Sequence, residues 1–121
     1  MTCREAAVAE AIRDSLGVGD RTRVERMLRR GVTLLVDGGG RVAAPSAPIV
    51  GRRAAAGALV ELLTPTAASS STMATVNGAP AIAFHEGARV VAVLALRLRG
   101  RRASDVWLVV NPDKLRHWNM P

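Results

Sequence analysis

Four side chains stand where the sequence could support acid–base chemistry: Asp37, His85, Asp105 and Asp113, the last followed directly by Lys114. A carboxylate in a largely apolar cavity works as a general acid or base once its pKa is moved toward the working pH, and a His–Asp pair can do the same. Asp37 and Asp113, however, fall at strand ends in turn sequences, where solvent keeps a carboxylate ordinary. The chain has no tyrosine, which removes the phenolic donor that would stabilise an enolate in an isomerase-type site. A lone histidine such as His85 is more often a satisfied structural group than a base. With one cysteine, Cys3, and two histidines, His85 and His117, no metal ligand set can be assembled, and no cofactor is expected. Cys3 at a helix start has no neighbouring His or Lys to activate it and is expected to be inert.

Two further stretches combine unusual residue types. Lys114 is the only lysine among seventeen basic residues, all the others being arginine, and it lies in Asn111-Pro112-Asp113-Lys114-Leu115. Trp107 and Trp118 flank that stretch, in a chain whose only other aromatic is Phe84. Asn, Pro and Asp in succession suit a type I turn, but loops also carry function. The other stretch is Asp37-Gly38-Gly39-Gly40-Arg41. Its glycines permit positive φ and close approach, and it lacks the spacing of a P-loop or a dinucleotide-binding turn. It reads as a bulged hairpin, or as a device holding Asp37 and Arg41 at the mouth of a cavity.

At 121 residues, 49% of them hydrophobic, the chain is expected to be one domain spanning 1–121, with a single core. The longest apolar run, Val90 to Leu96, is far too short to cross a bilayer, and Arg4 and Glu5 interrupt any signal peptide. A cytoplasmic, membrane-free protein is the expectation. A formal charge of +7 attracts nucleic acid or acidic partners in general. Here the arginines are scattered, stacking aromatics are nearly absent and no nucleic-acid-binding motif occurs, so direct nucleic-acid binding is not expected.

The elements that must position these residues can be read in order. Thr2 and Glu5 have capping-box spacing for a helix carrying Val8, Ile12 and Leu16 and stopping at Gly17. Asp20 caps a second helix, with Val24, Met27 and Leu28 on one face, ending at Gly31. Val32 to Asp37 and Arg41 to Ala44 form a hairpin. Gly51 opens a third helix, Arg52 to Leu63, with Ala55, Leu59 and Leu62 on one side, closed by Thr64-Pro65, and Thr66 to Ser71 reads as a loop. A four-stranded meander follows: Thr72 to Val76, Ala81 to His85, Val90 to Arg99 and Asp105 to Val110, with turns at Asn77-Gly78, Glu86-Gly87 and Gly100-Arg101. Val90, Ala92, Leu94, Leu96 and Leu98 share one face. The face of His85 hangs on the register of the Glu86-Gly87 turn. The opposite faces of the last strands predict an apolar cavity lined by Met73, Phe84 or His85, Val91, Val93, Trp107 and Val109.

This order of elements resembles the SnoaL-like families of the nuclear-transport-factor-like, or cystatin-like, superfamily. The resemblance implies an α+β fold in which a curved, mostly antiparallel sheet packs against three helices as a cone or partial barrel. More narrowly, Asp37 to Arg41, the turn Val76-Asn77-Gly78-Ala79-Pro80, and Asn111 to Leu115 look like the motifs of the SnoaL-like C-terminal domain of one group of extracytoplasmic-function sigma factors. Arg41 stands where that motif usually has lysine. In that family the domain controls the sigma factor by contacting its core regions, with the first and last of these motifs in or near the contact.

By that resemblance the partner-binding residues would be Asp37, Gly38, Gly39, Gly40, Arg41, Asn111, Pro112, Asp113, Lys114 and Leu115. The partner would be a sigma-factor core or another transcription protein, and homodimers are common in the superfamily. Because Met1 lies directly before the first helix, the expectation is a detached regulatory domain, or a relative that binds a small apolar ligand. The competing reading is an enzyme of the polyketide cyclase, epoxide hydrolase or isomerase type, with Asp37, His85 or Asp113 as its base. The two long motifs are expected to meet at one rim of the sheet.

Overall fold

The first helix is built as its sequence dictates: in this computed structural model, which describes residues 2–40, 44–67 and 70–119, the Thr2 side chain accepts from the Glu5 amide (3.1 Å) and the Glu5 carboxylate accepts from the Thr2 amide (2.9 Å). Helix α1 runs Cys3–Gly17 and buries Ala9, Ile12 and Leu16. Asp20 caps α2 by accepting from the Arg23 amide (3.1 Å), but α2 is only Arg21–Arg26. The helix does not reach Gly31, because Leu28 already belongs to strand β1, Leu28–Asp37. The Met27 carbonyl accepts from Ala103, so a strand from the far end of the chain overrides the weak helical period.

Residues 41–43, which carry most of the expected return strand, lie outside the described residues. Among the described residues, the antiparallel neighbour of β1 is the short β2, Ile49–Val50, with Val50 opposite Thr33. Helix α3 spans Arg52–Ala67 and so continues through Thr64-Pro65 into the expected loop. Pro65 lacks the N–H that would bond back into the last turn, and the helix ends two residues beyond it. Buried Ala55, Ala56, Leu59 and Leu63 form its inner face, with Leu62 only partly buried against the core.

The remaining strands are β3 (Ser70–Val76), β4 (Ala79–Glu86), β5 (Arg89–Arg99) and β6 (Arg102–Val109), followed by the single helical turn α4 (Pro112–Leu115) and a 3₁₀ turn, Arg116–Trp118. Together they form one open, mixed sheet in the order β2-β1-β6-β5-β4-β3, in which β1 and β6 are parallel and the other pairs antiparallel. The β4–β5 turn is centred one residue later than expected: Glu86 pairs with Arg89, and Gly87 takes φ +61°.

One face of the sheet is covered by α1, α2 and α3 over a core that includes Leu34, Ile82, Phe84, Leu94, Leu96, Val106 and Leu108. Each large apolar side chain buried there contributes about 1.5–3 kcal/mol. The other, open face carries Ala81, Ala83, Val90 and Val93, on which Leu115 of α4 rests. Among the described residues no helix is long and apolar enough to cross a membrane, and no group of metal-ligating side chains converges.

Candidate functional site

The two long motifs meet because β1 and β6 run side by side in the same direction. Asp37 lies opposite Val109, and its carbonyl accepts from the Val110 amide (2.9 Å). Both strands therefore end at one rim. There the Asp37 carboxylate gathers three donors: the Gly39 amide (3.0 Å) and the Asn111 side-chain amide (3.3 Å) on Oδ1, and the Lys114 ammonium on Oδ2. The hydrogen bond from Lys114 holds the Asp37 carboxyl below the usual carboxylate range. The lysine's charge, Gly39 and Asn111 add to this, and desolvation opposes it.

Asn111 has two tasks. Its Oδ1 accepts from the Asp113 amide (3.0 Å), capping α4, while its Nδ2 reaches Asp37. Pro112 occupies the first helical turn, where its missing N–H costs nothing. Gly39 is needed for this arrangement on two counts. Its φ is +65°, and a Cβ built there would lie 2.3 Å from the Asn111 side chain.

Behind the rim, on the open face, is a cavity of about 660 Å³. Leu35, Val36 and Asp37 of β1, Val93, Ala95 and Arg97 of β5, and Trp107, Leu108 and Val109 of β6 line it. Val76, Asn77 and Ala79 of the β3–β4 turn, with Lys114 and Trp118 from the C-terminal segment, complete the wall. All three motifs singled out in the sequence thus border one hollow. Its size is ordinary for a small-molecule site, and its walls are mostly apolar.

The C-terminal segment is tied down at both ends. Leu115 is buried among Ala83, Val90 and Val93 and their neighbours. The Asn119 side chain accepts from the Val90 amide (2.7 Å) and donates to the Val90 carbonyl (3.0 Å), as the peptide of an adjacent strand would.

Several expected site residues lie elsewhere. Of the expected cavity wall, Val93, Trp107 and Val109 line it, whereas Met73, Phe84, His85 and Val91 do not. Met73 pairs with Ile82, which faces the helices. The two-residue turn at Asn77-Gly78 sets odd positions of β3 beside even positions of β4, so Met73 belongs to the helix-side core. Phe84 is fully buried in that same core.

Val91 is the extra residue of a bulge: Phe84 lies opposite Ala92 and His85 opposite Val90. The same bulge moves Val90 off the face of Leu94 and onto the open face. His85 is on the open face, with Nε2 3.0 Å from Thr72 Oγ1. Asp105 lies opposite Arg97 and accepts from the Ser104 hydroxyl (3.0 Å). Asp113 is exposed on α4. Within the expected partner surface, Leu115 and Gly38 are buried, so neither is presented to a partner. Arg41 is outside the described residues.

Arg97 and Trp118 as cavity residues, and Asn119 as an anchor, were not expected from the sequence. The signals available were the alternation of Arg97 with Val93 and Ala95 on β5 and the position of Trp118 beside the Asn111 to Leu115 motif.

No family model and no curated protein matches the chain. Solved structures do. It is similar to the extracytoplasmic function sigma factor SigJ of Mycobacterium tuberculosis, with 19% identity and a TM-score of 0.74 over 95% of this chain. The match spans 45% of the sigma factor's length. It is also similar to an NTF2-like protein of unknown function from Burkholderia xenovorans, with 9% identity, a TM-score of 0.65, and coverage of 98% of this chain and 94% of the other. A putative ketosteroid isomerase from Kribbella flavida gives 18% identity and a TM-score of 0.60, over 88% of this chain and 76% of the other. The fold is therefore the α+β, NTF2-like and SnoaL-like one.

Proposed function

We propose that this chain, built on the SnoaL-like fold, is a regulatory domain that acts by protein–protein contact at the rim formed by Asp37, Gly39, Gly40, Asn111, Pro112, Asp113 and Lys114. The observation that carries this reading is the joining of two distant motifs through Asp37, which accepts from both Asn111 and Lys114. The likeness of the chain to part of SigJ supports a sigma-factor core as the partner. Lys114 is 65% exposed, so it can be offered to a partner while still orienting Asp37. Exposed ion pairs add only about 0–1 kcal/mol to folding, so the value of this one lies in recognition.

The test is calorimetric titration against the core regions of a sigma factor from the same genome. Lys114→Ala and Asp113→Ala should weaken binding at least tenfold, about 1.4 kcal/mol, while the melting temperature stays within about 2 °C, as a loss of well under 1 kcal/mol implies. Loss of the fold in either variant, or binding that ignores both, overturns the reading.

A second reading rests on the cavity: the domain also takes a small molecule beside the rim, so that ligand and partner share Asp37 and Lys114. Catalysis is not part of the proposal. Of Asp37, His85, Asp105 and Asp113, only Asp37 lines the cavity, and its ion pair favours the ionised form where a base of this superfamily would need a raised pKa. No turnover of cyclase, isomerase or epoxide-hydrolase substrates is expected, and turnover abolished by Asp37→Asn in a folded protein would reverse that conclusion.

A further inference from the structure

The cavity has charge at two ends, and among the described residues only the rim end is ion-paired. At the rim, Asp37 and Lys114 neutralise each other. Among the described residues, the remaining charged residue in the wall is Arg97. Asp37 and Val93 share the Val109 row of the sheet, and Arg97 is four residues further along β5. At about 3.3 Å per residue along the strand and about 4.8 Å between strands, with β6 lying between β1 and β5, the two ends are roughly 16 Å apart. Arg97 makes no ion pair among the described residues. The carboxylate nearest to it across the ladder, Asp105, accepts instead from the Ser104 hydroxyl at the irregularity in β6. Between the two ends the wall is apolar, with Val93, Val109, Trp107 and Trp118.

An apolar hollow with one uncompensated guanidinium selects by a simple rule. The body of a ligand is held by exclusion from water, and its orientation is fixed by the one charge able to form bonds. A guanidinium presents a planar fork of donors that matches a carboxylate in a bidentate fashion. Resting on the reading that the cavity takes a small molecule, we propose that the ligand is an apolar carboxylic acid, its body against Trp107 and Trp118 and its carboxylate on Arg97. A neutral analogue of equal size would bury the same body but leave Arg97 unpaired.

Isothermal titration with dodecanoate and 2-naphthoate, each against its neutral primary alcohol, tests this and separates a chain-like from a ring-like body. At least one acid should bind about tenfold or more tighter than its alcohol, the gain expected of one charge-assisted hydrogen bond. Both tryptophans line the cavity, so dodecanoate binding should also change the intrinsic fluorescence. Arg97→Gln should remove the preference for the acid while leaving alcohol binding unchanged, Arg97→Lys should restore part of it, and Asp105→Asn should strengthen acid binding. Acid and alcohol binding alike, or Arg97→Gln weakening both equally, overturns the role of Arg97 but leaves the cavity reading standing. If neither acid nor alcohol binds, the cavity reading itself falls.

Discussion

Gly39 is the residue on which the rim depends most locally. A side chain there meets Asn111 at 2.3 Å in a backbone conformation with φ +65°, whereas Gly40, with φ +75°, has nothing within 4 Å of a built Cβ. Gly40→Ala should therefore show the backbone cost alone, about 1 kcal/mol. Gly39→Ala should cost more, roughly 2–3 kcal/mol, because it adds a clash to that strain. Chemical denaturation of both variants measures the difference, and Asn111→Gly in the Gly39→Ala background should recover the excess. Equal losses at the two glycines would mean that Asn111 is not held where the geometry puts it. The Asp37–Lys114 pair adds a pH dependence with a definite sign. The folded-state pKa of Asp37 is lowered, so the stabilisation is complete above the ordinary carboxylate pKa of about 3.9 and is lost as pH falls through the lowered folded value. The stability difference between wild type and Lys114→Ala, at most about 1 kcal/mol at pH 7, should vanish in strong acid. A difference that grows on acidification would contradict the assignment.

At the scale of elements, what the sequence made legible was whatever it encodes locally. Thr2 and Glu5, Asp20, and the Asn77-Gly78 turn with φ +51° and +79° all act as their types and spacing imply. Two of the failures come from information that no local pattern contains: the length of α2 is cut by pairing with β6, and the side of Val90 is set by a single bulge. The face of Met73 is different, since the Asn77-Gly78 turn fixes it locally. The site divides in the same way. The meeting of Asp37 with Asn111 could be read from two strands ending together, while Arg97 came in by its alternation with Val93 and Ala95 on β5, and Trp118 by the folding of the C-terminal segment over the open face. Asn119 is the anchor at the end of the last turn. Its side chain pins the C-terminal segment to Val90, so Asn119→Ala should speed hydrogen exchange in 112–119 by tenfold or more and alter Trp118 fluorescence. The global melting temperature should fall by only a few degrees, as expected for about 1 kcal/mol. Unchanged exchange would mean that Leu115 alone holds the segment.

For the molecule as a whole, the open sheet divides labour between its faces, with the helix side supplying stability and the uncovered side supplying the hollow and its rim. Substitutions on the two sides should differ in kind. Leu94→Ala, in the fully buried core, should cost about 2–5 kcal/mol. Ala95→Ser, on the cavity wall, should cost less than about 1 kcal/mol yet, on the proposal that the cavity takes a small molecule, shift its affinity; calorimetry and denaturation on the same samples separate the two. The parallel pairing of β1 with β6 has a consequence in time. Asp37 and Lys114 are 77 positions apart in the chain. At a synthesis rate of 5–20 residues per second, the first waits on the ribosome for about 4 to 15 s before the second is made. Throughout that interval β1 has one long edge without its neighbour, and the surface assigned to the partner does not exist. On the proposed function, a nascent chain would gain its contact surface only after β6 and the turn that follows it have been made, so a formed rim reports that β1 has found its parallel neighbour.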